Sequence, residues 1–281
     1  MKLVSFETGG KPGYGALVDG GILDLGRRHG AKAPTLKAFL GAGLASDPAA
    51  AQGAADLDPG AVRLLAPIPD PAKILCVGLN YESHKREMAR ADAGYPTLFA
   101  RFADTLVGPE DALVHPRVTE KLDWEGELAV IIAKHCRAVA LEDAWSVIGG
   151  YACFHDASVR DWQSHTTQFL PGKNFPATAG FGPWLVTPDE IADAHDLRLV
   201  TRVNGIERQN ASTGDMIFRI PELIAYITTF TALAPGDVIA TGTPAGVGLG
   251  MKPPMFMMPG DLVEIEIDGL GILRNPVRAE G

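Results

Sequence analysis

Two glutamates placed two residues apart are the first candidates for chemistry in this sequence. Glu125 and Glu127 stand directly before an apolar run, residues 128–133, which predicts a buried strand. Residues i and i+2 of a strand point to the same face, so the two carboxylates would project side by side. Like charges at the entrance to a core are costly unless water solvates them or a cation neutralises them. The pair therefore predicts either a solvated sheet edge or a cation site.

A third acid favours the cation site. Asp156 ends the apolar stretch 151–156, which predicts another strand. If the two strands are neighbours, Glu125, Glu127 and Asp156 converge as a site made of oxygen atoms alone. Such a site selects hard cations such as Mg²⁺, Mn²⁺ or Ca²⁺ over zinc. A charged sheet edge that keeps the protein soluble stays open as the alternative. His155 would face the opposite side of the strand from Asp156, and we predict a structural role for it.

A histidine and a glutamate three residues apart could activate water. His84 and Glu87 fall in the polar stretch 82–92, which predicts a helix after a buried strand. Residues i and i+3 are neighbours on a helix. A carboxylate beside an imidazole orients the ring and stabilises its charged form, as a general base requires. An incidental pair on a solvated helix remains the alternative.

Two further segments could contact an anionic ligand. Lys173 follows a glycine in a loop, where a functional role needs an anionic substrate nearby. Residues 241–248, with the sequence TGTPAGVG, lack the Gly-Lys-Ser/Thr ending of a phosphate loop, and Pro244 opposes an immediate helix. We expect this turn to offer backbone N–H groups and threonine hydroxyls to a carboxylate. The Gly-x-Ser-x-Gly motif of a serine nucleophile is absent.

The elements that must position these residues are mostly short strands. The apolar patterns predict strands at 3–6, 15–18, 22–25, 74–79, 128–133, 151–156 and 197–205, and helices at 82–92, 141–147 and 220–230. Many strands with few helices and no regular βα alternation predict an α+β, mostly β fold. The proline-rich segment 66–73 predicts a boundary near residue 70, between a small N-terminal domain (1–70) and a catalytic domain (71–281).

Composition excludes several classes of function. The 25 basic and 34 acidic residues give a net charge of −9. A protein this acidic lacks the basic surface of a nucleic-acid binder and is repelled by anionic membranes. No apolar run is long enough for a membrane helix, and the first residues lack the apolar core of a signal peptide. The three cysteines match no zinc pattern. We expect a cytoplasmic protein with reduced thiols and neither nucleic-acid nor membrane partners.

Several motifs, in this order along residues 70–278, resemble those of the fumarylacetoacetate hydrolase superfamily. They are Gly78-Leu79-Asn80-Tyr81-x-x-His84-x-x-Glu87, Asp123-Trp124-Glu125-Gly126-Glu127-Leu128-Ala129-Val130, Asp156-Ala157-Ser158-x-Arg160-Asp161-x-Gln163, Gly172-Lys173-x-Phe175 and Thr241-Gly242-Thr243-Pro244. Each fragment alone is weak, but their joint occurrence in this order is specific.

The resemblance implies a fold, a metal and a set of roles. The fold would be the family's mixed β-sandwich roll with a small N-terminal domain, in a homodimer. The metal would be Mg²⁺ or Mn²⁺, with Ca²⁺ as a substitute. The residues that match family positions are Glu125, Glu127 and Asp156 as metal ligands, His84 and Glu87 as a water-activating pair on a lid, Lys173 as the catalytic lysine, and Gln163, Gly242 and Thr243 as substrate contacts. Arg101 falls where relatives often carry a lysine near the substrate.

These features favour a hydrolase that cleaves a C–C bond of an acylpyruvate or related 2,4-dioxo acid. The metal would chelate the 2-oxo acid, and His84 would activate the attacking water. The same metal chelation also serves oxaloacetate decarboxylation, keto–enol tautomerisation and double-bond isomerisation, which stay as alternatives. A non-enzymatic dicarboxylate-binding protein is the alternative from another class. We expect loops near 86–101 and 249–258 to line the pocket for the acyl group.

Overall fold

Strands dominate the computed structural model, which describes residues 1–89 and 94–281. The strands are β1 (Lys2–Thr8), β2 (Lys11–Val18), β3 (Gly21–Asp24), β4 (Arg63–Leu64), β5 (Ile74–Gly78), β6 (Thr97–Arg101), β7 (Leu106–Val107), β8 (Leu113–His115), β9 (Leu122–Asp123), β10 (Gly126–Ile132), β11 (Ile148–Asp156), β12 (Ser158–Val159), β13 (Ala179–Val186), β14 (Arg198–Val203), β15 (Ile206–Ser212), β16 (Val238–Ala240), β17 (Leu262–Ile267) and β18 (Gly271–Ala279).

The helices are short and lie between the strands. The α-helices are α1 (Leu25–His29), α2 (Leu36–Gly41), α3 (Glu82–Glu87), α4 (Arg160–Gln163), α5 (Leu170–Lys173) and α6 (Ile220–Phe230). Single 3₁₀ segments span Leu44–Ser46, Pro48–Ala51, Pro59–Ala61, Ala103–Thr105, Leu141–Val147, Pro188–Glu190, Thr213–Asp215 and Gly248–Gly250. The predicted helix 82–92 ends at Glu87 as α3, and residues 90–92 of that prediction lie outside the described residues. None of the described helices is long and apolar enough to cross a bilayer.

Two large sheets carry the architecture. The larger has the strand order β3-β2-β1-β13-β11-β10-β16-β5-β6, with β4 on β1 and β7 on β13. The smaller has the order β15-β14-β17-β18-β8, and a separate short sheet pairs β12 with β9. Both large sheets mix parallel and antiparallel pairs, because β16 pairs with β5 and β18 with β8 in parallel. The prediction of a mostly β, α+β fold is confirmed.

Strand β10 is buried on both faces, which explains its unbroken apolar sequence. Leu128 and Val130 belong to the hydrophobic cluster that also contains residues of β14 and β17 from the smaller sheet. Ala129 and Ile131 belong to a second cluster, on the other face, that contains residues of α2. Alternate side chains of one strand therefore enter two cores, and a continuous apolar run results.

The N-terminal segment joins the same sheet as the rest of the chain. Strand β1 pairs antiparallel with β13, and Leu3 of β1 lies in the same cluster as Phe39 of α2 and Ile131 of β10. Residues on both sides of position 70 thus share a sheet and a core. The boundary predicted near residue 70 stays a prediction.

Candidate active site

Antiparallel pairing brings the three predicted acids together. Strand β10 begins where β11 ends, because Gly126 lies opposite His155. Glu125 and Glu127 flank Gly126 and so meet Asp156, and one carboxylate oxygen from each acid lies within 4.8 Å of the others. The glycine between the two glutamates has a packing reason, since a Cβ there would lie 2.1 Å from Thr201 Oγ1. The predicted convergence of Glu125, Glu127 and Asp156 is present.

Cationic side chains compensate two of the three acids. The buried Lys173 places its Nζ 2.7 Å from Glu125 Oε2 and 2.6 Å from Asp156 Oδ2. Arg160 Nη2 lies 2.7 Å from Glu125 Oε1, and Arg101 Nη1 donates to Asp156 Oδ1. Burial opposes ionisation of Glu125, but the charges of Lys173 and Arg160 outweigh it and hold its pKa below the usual range. Burial also opposes the charge of Lys173, yet the charges of Asp156 and Glu125 raise its pKa.

Glu127 is compensated less directly than the other two acids. Among the described residues no ion pair reaches its carboxylate, which accepts one hydrogen bond from Gly242 N–H at 2.9 Å. Burial, followed by the charges of Asp156 and Glu125, raises the pKa of Glu127 well above its usual range. A buried carboxylate cluster in which one acid has no ion-pair partner among the described residues fits a hard divalent cation, which prefers oxygen ligands. The residues present therefore fit Mg²⁺ or Mn²⁺, with Glu125, Glu127 and Asp156 as ligands.

Helix α3 carries the histidine–glutamate pair to the same site. His84 is buried, and its Nδ1 lies 3.1 Å from Glu87 Oε2. The second oxygen of Glu87 accepts a hydrogen bond from Gly246 N–H at 3.0 Å, and Ser83 Oγ accepts one from Ala245 N–H at 3.3 Å. These contacts dock α3 on the turn that follows β16. Because Glu87 holds Nδ1, the other ring nitrogen of His84 is the one available to a ligand.

A cavity of about 360 Å³ joins these groups. Its polar lining includes the three acids, His84, Arg160, Gln163, Lys173 and Thr243. Apolar side chains also line it, including Val77, Leu79, Met88, Phe99, Phe169 and Leu249. Lys173 Nζ also lies 5.0 Å from the centre of the Phe99 ring. The loops expected to line the acyl pocket contribute Met88, Phe99 and Leu249 to it, while residues 90–93 lie outside the described residues.

Close packing of α4 on α5 sets Gln163 beside Lys173. A Cβ at Gly172 would lie 2.5 Å from the Gln163 backbone, so the two helices approach closely only with glycine there. The glycine of the Gly172-Lys173 motif is therefore required by close packing, as is the glycine between the two glutamates.

Two predicted substrate contacts lie behind the cavity wall. Within the described residues, Arg101 and Gly242 are not part of the cavity lining. Arg101 donates to Asp156, to Ala157 O at 3.1 Å and to Thr178 Oγ1 at 2.8 Å. Gly242 donates to Glu127 instead. Both residues contact proposed metal ligands, and their contact with substrate stays a prediction.

Arg160 has a larger role than its place in a motif suggested. Its Nε donates to Asp123 Oδ2 at 2.7 Å and its Nη1 to Gln163 Oε1 at 2.9 Å, in addition to the contact with Glu125. Asp123 also accepts hydrogen bonds from Gly248 N–H at 2.7 Å and Leu249 N–H at 2.9 Å. Asp123 and Arg160 both occur in the quoted motifs, but spacing alone did not indicate that they pair.

Gln209 was missed completely by the sequence analysis. It is buried on β15, its Oε1 accepts from Gly126 N–H at 2.9 Å, and its Nε2 donates to Thr243 Oγ1 at 2.7 Å. No sequence motif surrounds it, so no signal in the chain could have identified it. His155 is also fully buried, and among the described residues its ring nitrogens have no hydrogen-bond partner. Burial lowers the pKa of His155 to about 3, so the ring is neutral.

Comparisons with known proteins point in one direction. The family model described as fumarylacetoacetate (FAA) hydrolase C-terminal matches residues 73–278. The chain is 41% identical over 288 residues to the mitochondrial oxaloacetate tautomerase fahd2 of Xenopus laevis, covering 99% of this chain and 90% of that protein. It is 44% identical over 220 residues to the oxaloacetate tautomerase YisK of Bacillus subtilis (strain 168), covering 77% and 73%.

A solved structure shares the whole fold. Maleylpyruvate hydrolase from Sphingobium sp. SYK-6, in complex with manganese(II) ion and pyruvate, superposes with a TM-score of 0.83 at 33% identity. The match covers 100% of both chains.

Proposed function

The chain belongs to the fumarylacetoacetate hydrolase family of enzymes, and on this premise we propose that it interconverts the keto and enol forms of oxaloacetate or a closely related 2-oxo dicarboxylic acid. Two relatives that are 41% and 44% identical carry the name oxaloacetate tautomerase. The observation that carries the proposal is that His84 and the three carboxylates line one small cavity. A proton acceptor thus stands beside a site suited to chelating a 2-oxo acid.

The proposed reaction moves one proton between C3 and the 2-oxo oxygen. When bound, Mg²⁺ or Mn²⁺ supplies Lewis acidity and a template for the carboxylate and 2-oxo oxygens. His84, oriented by Glu87, takes or returns the proton at C3. Lys173 and Gln163 line the cavity and are placed to stabilise the negative charge that develops on oxygen. The apolar wall restricts water, which strengthens these interactions.

Decay of the ultraviolet absorbance of enol-oxaloacetate tests this proposal. The full-length protein with Mg²⁺ or Mn²⁺ should accelerate the decay, with no carbon dioxide released and no change in substrate mass. The variant His84→Gln should lose the acceleration. Glu264→Gln, which alters a glutamate of β17 paired with Arg274, is the matched control and should keep it. Release of carbon dioxide at the rate of enol loss would instead identify a decarboxylase.

Hydrolysis of an acylpyruvate, which the sequence analysis placed first, is the second candidate. The His84–Glu87 pair suits activation of water, and the maleylpyruvate hydrolase named above shares the fold at 33% identity. Formation of pyruvate and a carboxylic acid from an acylpyruvate, faster than oxaloacetate tautomerisation, would favour this candidate.

Further expectations concern the class of the protein, its metal, its assembly and its location. Membership of an enzyme family argues against the non-enzymatic dicarboxylate-binding protein. The choice between Mg²⁺ and Mn²⁺, the homodimer and the cytoplasmic location stay predictions.

A further inference from the structure

The hydroxyl group of Thr243 is held by two buried neighbours. Gln209 Nε2 donates to Thr243 Oγ1 at 2.7 Å, and Thr243 Oγ1 donates to Gly126 O at 2.9 Å. Thr243 lines the cavity, whereas Gln209 is 1% exposed and, within the described residues, is not part of the cavity lining. The hydrogen bonds of this hydroxyl therefore decide what Thr243 offers to a ligand.

The orientation of the Gln209 amide follows from its other partners. Its Oε1 lies 2.9 Å from Gly126 N, a donor, and its Nε2 lies 2.9 Å from Pro244 O, an acceptor. A flipped amide would set donor against donor and acceptor against acceptor. Gln209 consequently donates to Thr243, and one lone pair of the threonine oxygen is occupied.

The proton of Thr243 is committed to the carbonyl of Gly126. Asp156 N–H donates to Glu125 O at 3.0 Å, so the next pair, Gly126 and His155, does not exchange ladder hydrogen bonds. The N–H and C=O of Gly126 point away from β11, beyond the end of β16, and take Gln209 and Thr243 as partners. A buried carbonyl without a donor is strongly disfavoured, which keeps the hydroxyl proton on Gly126 O.

Neighbouring donors of the same turn are also committed. Gly242 N–H donates to Glu127 Oε2 at 2.9 Å, and the N–H and hydroxyl of Thr241 both donate to Leu128 O. From its sequence, this turn was expected to offer such groups to a carboxylate. The hydrogen bonds observed leave a different polarity at the Thr243 hydroxyl, with one lone pair of its oxygen for the ligand, while the Thr243 N–H has no hydrogen-bond partner among the described residues and can still donate.

We propose that the hydroxyl of Thr243 accepts a hydrogen bond from the ligand. Gln209 is the positioning residue that holds this hydroxyl in the accepting orientation. Gln163 has the opposite polarity, because the donor-only Arg160 occupies its Oε1 at 2.9 Å and leaves its amide N–H groups for the ligand. The cavity then takes a ligand with a carbonyl or carboxylate oxygen at Gln163 and an O–H or N–H at Thr243. Only the identification of that O–H as the enol hydroxyl of a 2-oxo acid rests on the proposed function.

Oxalate and oxamate test this polarity. The two have nearly the same shape, but oxamate replaces one carboxylate oxygen with a donating amide NH₂. We would measure both dissociation constants by calorimetry on the full-length, Mn²⁺-loaded protein. Loss of one hydrogen bond worth about 1 kcal/mol corresponds to roughly a fivefold change in dissociation constant. Thr243→Val should weaken oxamate about fivefold and oxalate less than twofold, while Thr243→Ser should preserve the wild-type ratio.

Gln209→Met tests the positioning role. The ratio of oxamate to oxalate dissociation constants should shift toward that of Thr243→Val, although Gln209 is not expected to touch either ligand. If this variant fails to fold, Thr243→Val decides the proposal alone. Equal weakening of both ligands by Thr243→Val would overturn it, because the hydroxyl would then make no selective contact. Selective weakening of oxalate would also overturn it, because the hydroxyl would then be donating. A selective loss of oxamate in a protein without tautomerase activity would refute the proposed function and leave the polarity intact.

Discussion

Replacing Glu127 by glutamine should separate metal binding from folding. Glu127 is the carboxylate of the cluster that, among the described residues, no cationic side chain contacts. Its raised pKa favours the protonated form in the metal-free protein, and glutamine has nearly the shape of that form. Glutamine can also keep the hydrogen bond from Gly242 through its own carbonyl oxygen. The metal-free variant should therefore be about as stable as the wild type.

The separation of the acids gives the size of the repulsion that a bound metal ion must offset. Two carboxylate oxygens that lie within 4.8 Å of one another, each carrying a full charge, repel by about 3.5 kcal/mol or more at an effective dielectric constant of about 20. Ionised Glu127 faces two such neighbours, and the charge of a bound cation offsets this repulsion. A metal at one hundred times its Kd stabilises the fold by about 2.7 kcal/mol. For a domain of this size that is a rise in Tm of about 5 °C.

Thermal unfolding with and without Mg²⁺ or Mn²⁺ measures both quantities. Wild type should gain about 5 °C at saturating metal, and Glu127→Gln should gain less than about 1 °C. Glu264→Gln, a partly exposed glutamate of β17, should respond to metal like the wild type. A full metal-dependent gain in Glu127→Gln would refute its role as a ligand. A drop of several degrees in the metal-free variant would refute the argument from its protonation.

Three further predictions concern catalysis, buried charge and pH. His84→Gln should lower the turnover rate by about 10²–10⁴-fold, and Glu87→Gln by less, with metal affinity by calorimetry unchanged; loss of metal binding would contradict this. Arg160→Met removes the cation from two buried carboxylates and should lower the unfolding free energy in urea by about 3–5 kcal/mol, and an unchanged midpoint would contradict the ion-pair assignment. Burial, followed by the charge of Arg219, lowers the pKa of His195, whose Nε2 accepts from Ile220 N–H at 3.1 Å. The neutral ring's contribution to stability is therefore complete above pH 6.5 and declines as the pH falls below it, and His195→Gln should abolish that part of the decline in urea titrations.

Local patterns in the sequence were sufficient for seven of the strands and for the acid cluster. The apolar run after Glu127 predicted a buried strand, and β10 is buried on both faces. Spacing along two strands predicted that Glu125, Glu127 and Asp156 could converge, and they do. Such predictions succeed because strand periodicity fixes which side chains share a face, and this depends only on neighbouring residues.

Contacts between distant parts of the chain were outside the reach of these patterns. Arg160 pairs with Asp123 across 37 positions, and Gln209 bonds Thr243 across 34. Contacts between residues so far apart in the sequence leave no periodic pattern or short motif from which they could be predicted. The same holds for Lys173, whose two carboxylate partners follow from the packing of α5.

The sequence by itself determined the chemical inventory of this protein: three acids at the ends of two predicted strands, a histidine with its glutamate, and a turn rich in glycine and threonine. Only the tertiary structure decided which acid lacks a cation and in which direction the hydroxyl of Thr243 points. The physical reason is that charge compensation and hydrogen-bond direction belong to pairs of groups, and those pairs form only when the sheets have packed.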